Sequence, residues 1–205
     1  MKRGIAAIIA GFFLAAAGTV QAGITTDQVL DSGFDSISGT EPNSDTTPWF
    51  TGGEAQAGSI QTEALNGRGS GNAVKFQFTY DPAWLIQNLS NTVVAGKSYE
   101  ISLWHALGDP ASNAAHTNET TFEVALYTSP AVDGTYAEAV VLSGIVPPSS
   151  YPDYVNYTNT FSAASLIGVV GEYMQLRIIK SQAGVDHRLL VDDVSFGESD
   201  VATPA

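Results

Sequence analysis

The 205-residue chain contains no cysteine, which excludes a disulfide framework, a thiolate metal site and a lipidated cysteine. It is poor in positive charge, with 8 Lys and Arg against 21 Asp and Glu and a formal net charge of −13. Such a charge repels nucleic-acid phosphates and anionic lipid headgroups, and it favours solubility and divalent cations. Only three histidines occur, His105, His116 and His187, and none has an i, i+2 or i, i+4 partner of the zinc-site kind. Nucleophile elbow, Walker loop and dinucleotide fingerprint are all missing, and Gly67, Gly69 and Gly71 read as a surface turn. After the N-terminus, no apolar run approaches the roughly 20 residues of a membrane-spanning helix.

The N-terminus itself reads as a signal peptide over residues 1–22. Lys2-Arg3 is a basic n-region, Ile5 to Ala17 an apolar core, and Val20-Gln21-Ala22 a small-residue cleavage site before Gly23. Export without disulfides fits a bacterial envelope, periplasmic or secreted protein. Cleavage would remove two basic residues and no acid, leaving 6 basic against 21 acidic residues and a formal charge of −15. The remaining length suits one domain over residues 23–197, with a small, polar tail over 198–205.

What is present is alternation with period two. It is clearest over Val74–Tyr80, Tyr99–Trp104, Thr121–Tyr127 and Tyr173–Ile178, and weaker near Trp49–Thr51, Gly58–Gln61, Ala139–Leu142, Val155–Phe161 and Arg188–Phe196. Turn chemistry separates the runs at Asn66–Gly71, Ala95-Gly96-Lys97, Asp133-Gly134 and Pro147–Ser150, with Asp133-Gly134 a hairpin tip between Leu126 and Val140. Only Pro82–Ser90 and Ala163–Gly168 offer a helical turn. The expected fold is all-β, a two-sheet antiparallel β-sandwich of the jelly-roll kind.

If the apolar residues of each strand face the core, the opposite face carries Gln77, Trp104, Glu123, Tyr127, Tyr173, Gln175 and Arg177. Aromatic rings stack on the C–H faces of a pyranose while amides, carboxylates and guanidinium pair with its hydroxyls, so these seven residues are candidate carbohydrate-binding groups. An ordinary solvated strand face has a similar composition. Trp49 and Trp84 read as edge or corner packing. Glu100 and Glu123, if they faced one another, would supply the two carboxylates of a glycoside hydrolase. Two acidic motifs remain, Gly33-Phe34-Asp35 early and Leu190 to Phe196 late, the latter with Asp192 and Asp193 adjacent. Carboxylates on a strand are costly to bury, and a hard cation at their meeting point would offset that cost.

The order of the motifs resembles the carbohydrate-binding modules of the cellulose- and xylan-binding type, with a galactose-binding-like jelly roll. The matching pieces are Leu30–Asp35 leading to Pro48-Trp49-Phe50, then Gly96–Trp104, Gly171–Arg177 and Leu190–Phe196. The resemblance implies a structural calcium with Asp35 as first ligand and Asp192 as last, Asp193 being the lesser candidate. It also implies polysaccharide or a cell-surface glycan as partner, bound without catalysis by a monomer. The alternatives are a structural or adhesive envelope protein on the same fold, or a jelly-roll hydrolase or lyase.

Overall fold

A computed structural model gives the fold, and it describes residues 24–35, 48–53, 60–64, 72–76, 83–107, 121–146, 153–180 and 189–199. The strands are β1 (Ile24–Asp27), β2 (Trp49–Gly53), β3 (Ile60–Ala64), β4 (Asn72–Phe76), β5 (Ala83–Thr92), β6 (Ser98–Leu107), β7 (Phe122–Ser129), β8 (Ala137–Ile145), β9 (Val155–Phe161), β10 (Tyr173–Lys180) and β11 (Leu189–Ser199). One sheet runs β3-β4-β11-β6-β9, and the other β2-β5-β10-β7-β8. Every pairing is antiparallel. The expected antiparallel sandwich is what forms.

The period-two stripes become the inner faces. Tyr99, Ile101 and Leu103 of β6 and Val191 and Phe196 of β11 pack against Leu85, Val124, Leu126, Met174, Leu176 and Ile178 of the facing sheet. At one end Trp49 is fully buried, its ring 5.3 Å from Phe34, and its Nε1 donates to the Asp31 carbonyl. The packing role expected of Trp49 is the one it has. Gln87 faces inward too, and its amide donates to the Leu30 carbonyl and accepts from the Leu30 N–H, both at 2.9 Å. That pair imitates a ladder rung and ties residues 28–35 to the second sheet.

Two expectations change and one holds. Pro82–Ser90 is not a helical turn, because Ala83–Thr92 is a ten-residue strand. Ala163–Val169 is helical as expected, a 3-10 turn capped by Ser162, whose side chain accepts from Ser165 N. The tail does not begin at Glu198, since Glu198 and Ser199 pair with Tyr99 and Ser98 and the strand continues through them. The signal segment lies outside the described residues. Among the described residues no helix is long and apolar enough to cross a membrane.

His105 sits in the core between the edges of Phe122, 5.1 Å away, and Tyr157, 6.5 Å away, with Nδ1 unpartnered and 3% of the residue exposed. Burial pushes its pKa down from 6.5 to about 4. Above pH 6.5 the ring is neutral in both folded and unfolded chains and contributes no pH dependence. Between 6.5 and 4 the unfolded chain takes up the proton and the folded chain does not, so stability falls as pH falls. The expected loss is on the order of 3 kcal/mol. Urea titrations from pH 7 to 4 should show it, and His105→Phe should flatten that limb; a parallel decline in the variant would assign it to other groups.

Candidate functional site

The outer face of the β5-β10-β7 ribbon gathers most of the polar candidates. Register places Arg177 between Ile86 and Ala125, Gln175 between Asn88 and Tyr127, and Ile179 between Trp84 and Glu123. Alternation then puts Trp84, Asn88, Gln175, Arg177, Tyr127 and Glu123 on one face, with Tyr173 at the end of the β10 row. From Tyr173 to Ile179 the row is about 20 Å long at the usual rise per residue.

Arg177 organises the face. Its guanidinium carbon lies 3.5 Å from the Tyr127 ring centroid and 4.7 Å from that of Trp84, so the cation is layered between two aromatic rings. Arg177 Nε donates to Gln175 Oε1 at 2.6 Å, and Gln175 Nε2 donates to Asn88 Oδ1 at 2.6 Å. The relay fixes three side chains from two strands. Burial holds the Arg177 pKa below the ordinary guanidinium value, partly opposed by Tyr127 and Glu138. Burial also raises the Tyr127 phenol, whose O–H donates to Glu138 Oε2 across the β7-β8 pair. Gly52 pairs with Trp84, and lacking a side chain it makes room for Ile86 Cδ1, which a Cβ there would overlap, while the edge of the indole would be in ordinary contact.

Trp104 is not part of this face. It belongs to β6 in the other sheet, paired with Asp192 and Asn156, so the single platform expected to include it does not form. The same division separates Glu100 on β6 from Glu123 on β7. Two carboxylates on opposite sides of a sandwich cannot flank one glycosidic bond, and the hydrolase built on that pair is overturned. Gln77 lies outside the described residues, as do His116 and His187. Trp84, set aside in the sequence as a packing residue, is the ring missed. Its signal was the apolar Trp84 and Ile86 on the face opposite Leu85, which disguised a strand as a turn of helix.

The second cluster lies where β11 is interrupted. The ladder to β6 slips between Asp192 and Ser195, and Asp193 takes a left-handed φ of 46° as the extra residue of a bulge. On the other side of β11, β4 pairs only as far as Val191 and β1 only from Gly197. The turn at residues 31–35 closes that gap, with Val194 N donating to the Ser32 carbonyl. A Cβ on Gly33 would stand in ordinary contact, 3.7 Å from both Asp193 Oδ1 and Asp35 Oδ2, which places both carboxylates beside this turn. Asp192 is 2% exposed, and its Oδ1 accepts from Asp193 N. Among the described residues no three His, Cys, Asp or Glu side chains converge as a metal set. Any cation here would rest on two carboxylates and backbone carbonyls, a donor set of the hard kind that suits calcium.

No family model matches the chain, and no curated protein matches it. Solved structures do. The CBM22-1 xylan-binding domain of Paenibacillus barcinonensis Xyn10C is 14% identical with a TM-score of 0.54, over 88% of this chain and 97% of that one. A cyclase from Fischerella sp. TAU, in complex with 4-(1H-indol-3-yl)butan-2-one, is 15% identical with a TM-score of 0.59, over 87% and 100%. The enzymatically active domain of tailspike protein 4 from bacteriophage CBA120 is 13% identical with a TM-score of 0.52, over 84% of this chain and 21% of that chain. The chain has the β-sandwich jelly-roll fold that carbohydrate-binding modules share with such enzymes.

Proposed function

We propose that the protein is an exported, noncatalytic carbohydrate-binding module that holds a glycan along the outer face of β5, β10 and β7. The observation that carries this reading is the Trp84–Arg177–Tyr127 layer with its Gln175–Asn88 relay. Two partly exposed rings, held apart at fixed spacing, offer stacking surfaces for successive sugars. Among the described residues the Asn88 NH2 is not spent, and Glu123 and Glu138 stand beside the rings as acceptors for hydroxyls. Groups already locked by packing and hydrogen bonds lose little freedom on binding. The xylan-binding domain of the same fold makes xylan the first ligand to try. Affinity electrophoresis on gels containing plant, algal and microbial polysaccharides tests the reading. Selective retardation without release of reducing ends is expected; release would make the protein an enzyme, and uniform migration would leave an envelope or matrix role.

The reading includes a structural calcium held by Asp35 and Asp193. The ion would neutralise the two carboxylates beside Gly33 and stitch the 31–35 turn to the bulge of β11. An ion bound only by the folded chain adds about 2.7 kcal/mol at a hundredfold excess over its Kd. Chelator is therefore expected to lower the Tm by several degrees, and Asp193→Asn should be insensitive to it. Superimposable wild-type melting curves with calcium and with chelator would remove the ion from the account.

A further inference from the structure

We propose that the end of the sandwich formed by the 3-10 helix and the 93–96 turn is a contact between two copies of this chain, in place of the monomer expected from sequence. Three exposed large apolar residues meet there: Ile167 at 79%, Val94 at 45% and Val170 at 45%. Beside Ile167 lies a cavity of about 380 Å³ lined by Val94, Ala95, Gly96, Ala163 and Leu166 among others. Leu166, 1% exposed, pins the helix to the core, and Ile167, the next residue, is thereby turned outward.

Charge selects a second copy as the occupant. Residues 161–171 and 91–96 contain no charged side chain, although the chain carries a net −13. At the rim, Lys97 Nζ lies 2.9 Å from Glu198 Oε2, and Glu172, whose backbone bonds to Val93 and Val169, borders the patch outside it. Two copies of so acidic a protein repel across the rest of their surfaces and can approach most easily through a patch that bears no charge. Shape agrees. The patch carries both a projecting isoleucine and a hollow, so a twofold axis beside it seats each Ile167 in the partner's cavity. A contact of this size gives weak, concentration-dependent association rather than an obligate dimer.

Sedimentation equilibrium over about 10–500 μM protein, at about 0.05 and 0.5 M NaCl, tests the proposal. The wild-type mass is expected to climb from monomer towards dimer, further at high salt, because screening weakens the repulsion and leaves the apolar contact intact. Ile167→Asp and Ala164→Arg should remain monomeric at both salts with an unchanged Tm. Val132→Asp, an exposed valine in the β7–β8 turn, should associate like wild type. Wild type that stays monomeric throughout overturns the proposal, as does association that survives both patch variants. So does sedimentation with phosphatidylcholine vesicles by a protein that does not self-associate.

Discussion

Trp84→Ala is expected to abolish retention on any glycan gel that slows the wild type, while the Tm moves by no more than a few degrees. The indole lies on the outer face above Gly52, and its inner neighbour is the Arg177 guanidinium rather than the hydrophobic core. Its removal leaves the inner stripe of Leu85, Gln87 and Leu89 in place, and Arg177 keeps its stack on Tyr127 at 3.5 Å. The stability cost is therefore that of a partly exposed ring. Binding loses one of two stacking surfaces, and an aromatic anchor of this kind is worth about 2 kcal/mol or more, roughly thirtyfold in affinity. Tyr127→Ala should lose affinity comparably, but it also removes the closer wall of the guanidinium and should cost more stability. A Trp84→Ala protein retarded as strongly as wild type would place the ligand elsewhere.

The largest stability effect is expected from Gly197→Ala. A methyl group at residue 197 would overlap the Thr26 carbonyl and press on Ile24 Cγ2, where β1 crosses β11. Backbone cannot yield as a flexible side chain does, so β1 must shift. Its shift would carry away Asp27, whose Oδ1 accepts from Phe196 N and Val29 N, and the Gln28 N–H bond to the Phe196 carbonyl. These contacts position the segment that delivers Phe34 against Trp49 in the core. A loss above about 3 kcal/mol is expected, which for a domain of this size lowers the Tm by roughly 6–12 °C. Thermal denaturation within 2 °C of wild type would show that the β1–β11 crossing has slack that the geometry does not indicate.

Alternation in the sequence tells inside from outside, and it located most of the strands. It does not tell one sheet from the other. Trp104, Glu100, Tyr127 and Arg177 all read as outward-facing, and they are; yet strand order puts the first two on one side of the sandwich and the last two on the other. The neighbours that build the site, β5, β10 and β7, are far apart in the chain, and their adjacency follows from long-range pairing that no local pattern records. β5 itself was hidden because Ile86 is buried on its outer face, so apolar residues fall on both sides and the period disappears. The acidic end was legible as a place where two motifs meet. Which aspartate stands beside Asp35 was not, because a bulge inserts one residue into β11 and brings Asp193, rather than Asp192, to the Gly33 turn.

The chain's three tryptophans allow a direct test of the glycan face. Trp49 is fully buried and Trp104 lies on the opposite sheet, so in a Trp104→Phe protein Trp84 is the indole open to an aqueous quencher. Acrylamide quenching of that protein should be measured with and without the oligosaccharide of whichever polysaccharide retards it. Saturable protection of Trp84, with the same half-point as binding, is the predicted result. Binding that leaves the quenching unchanged would contradict a glycan seated on the β5-β10-β7 face.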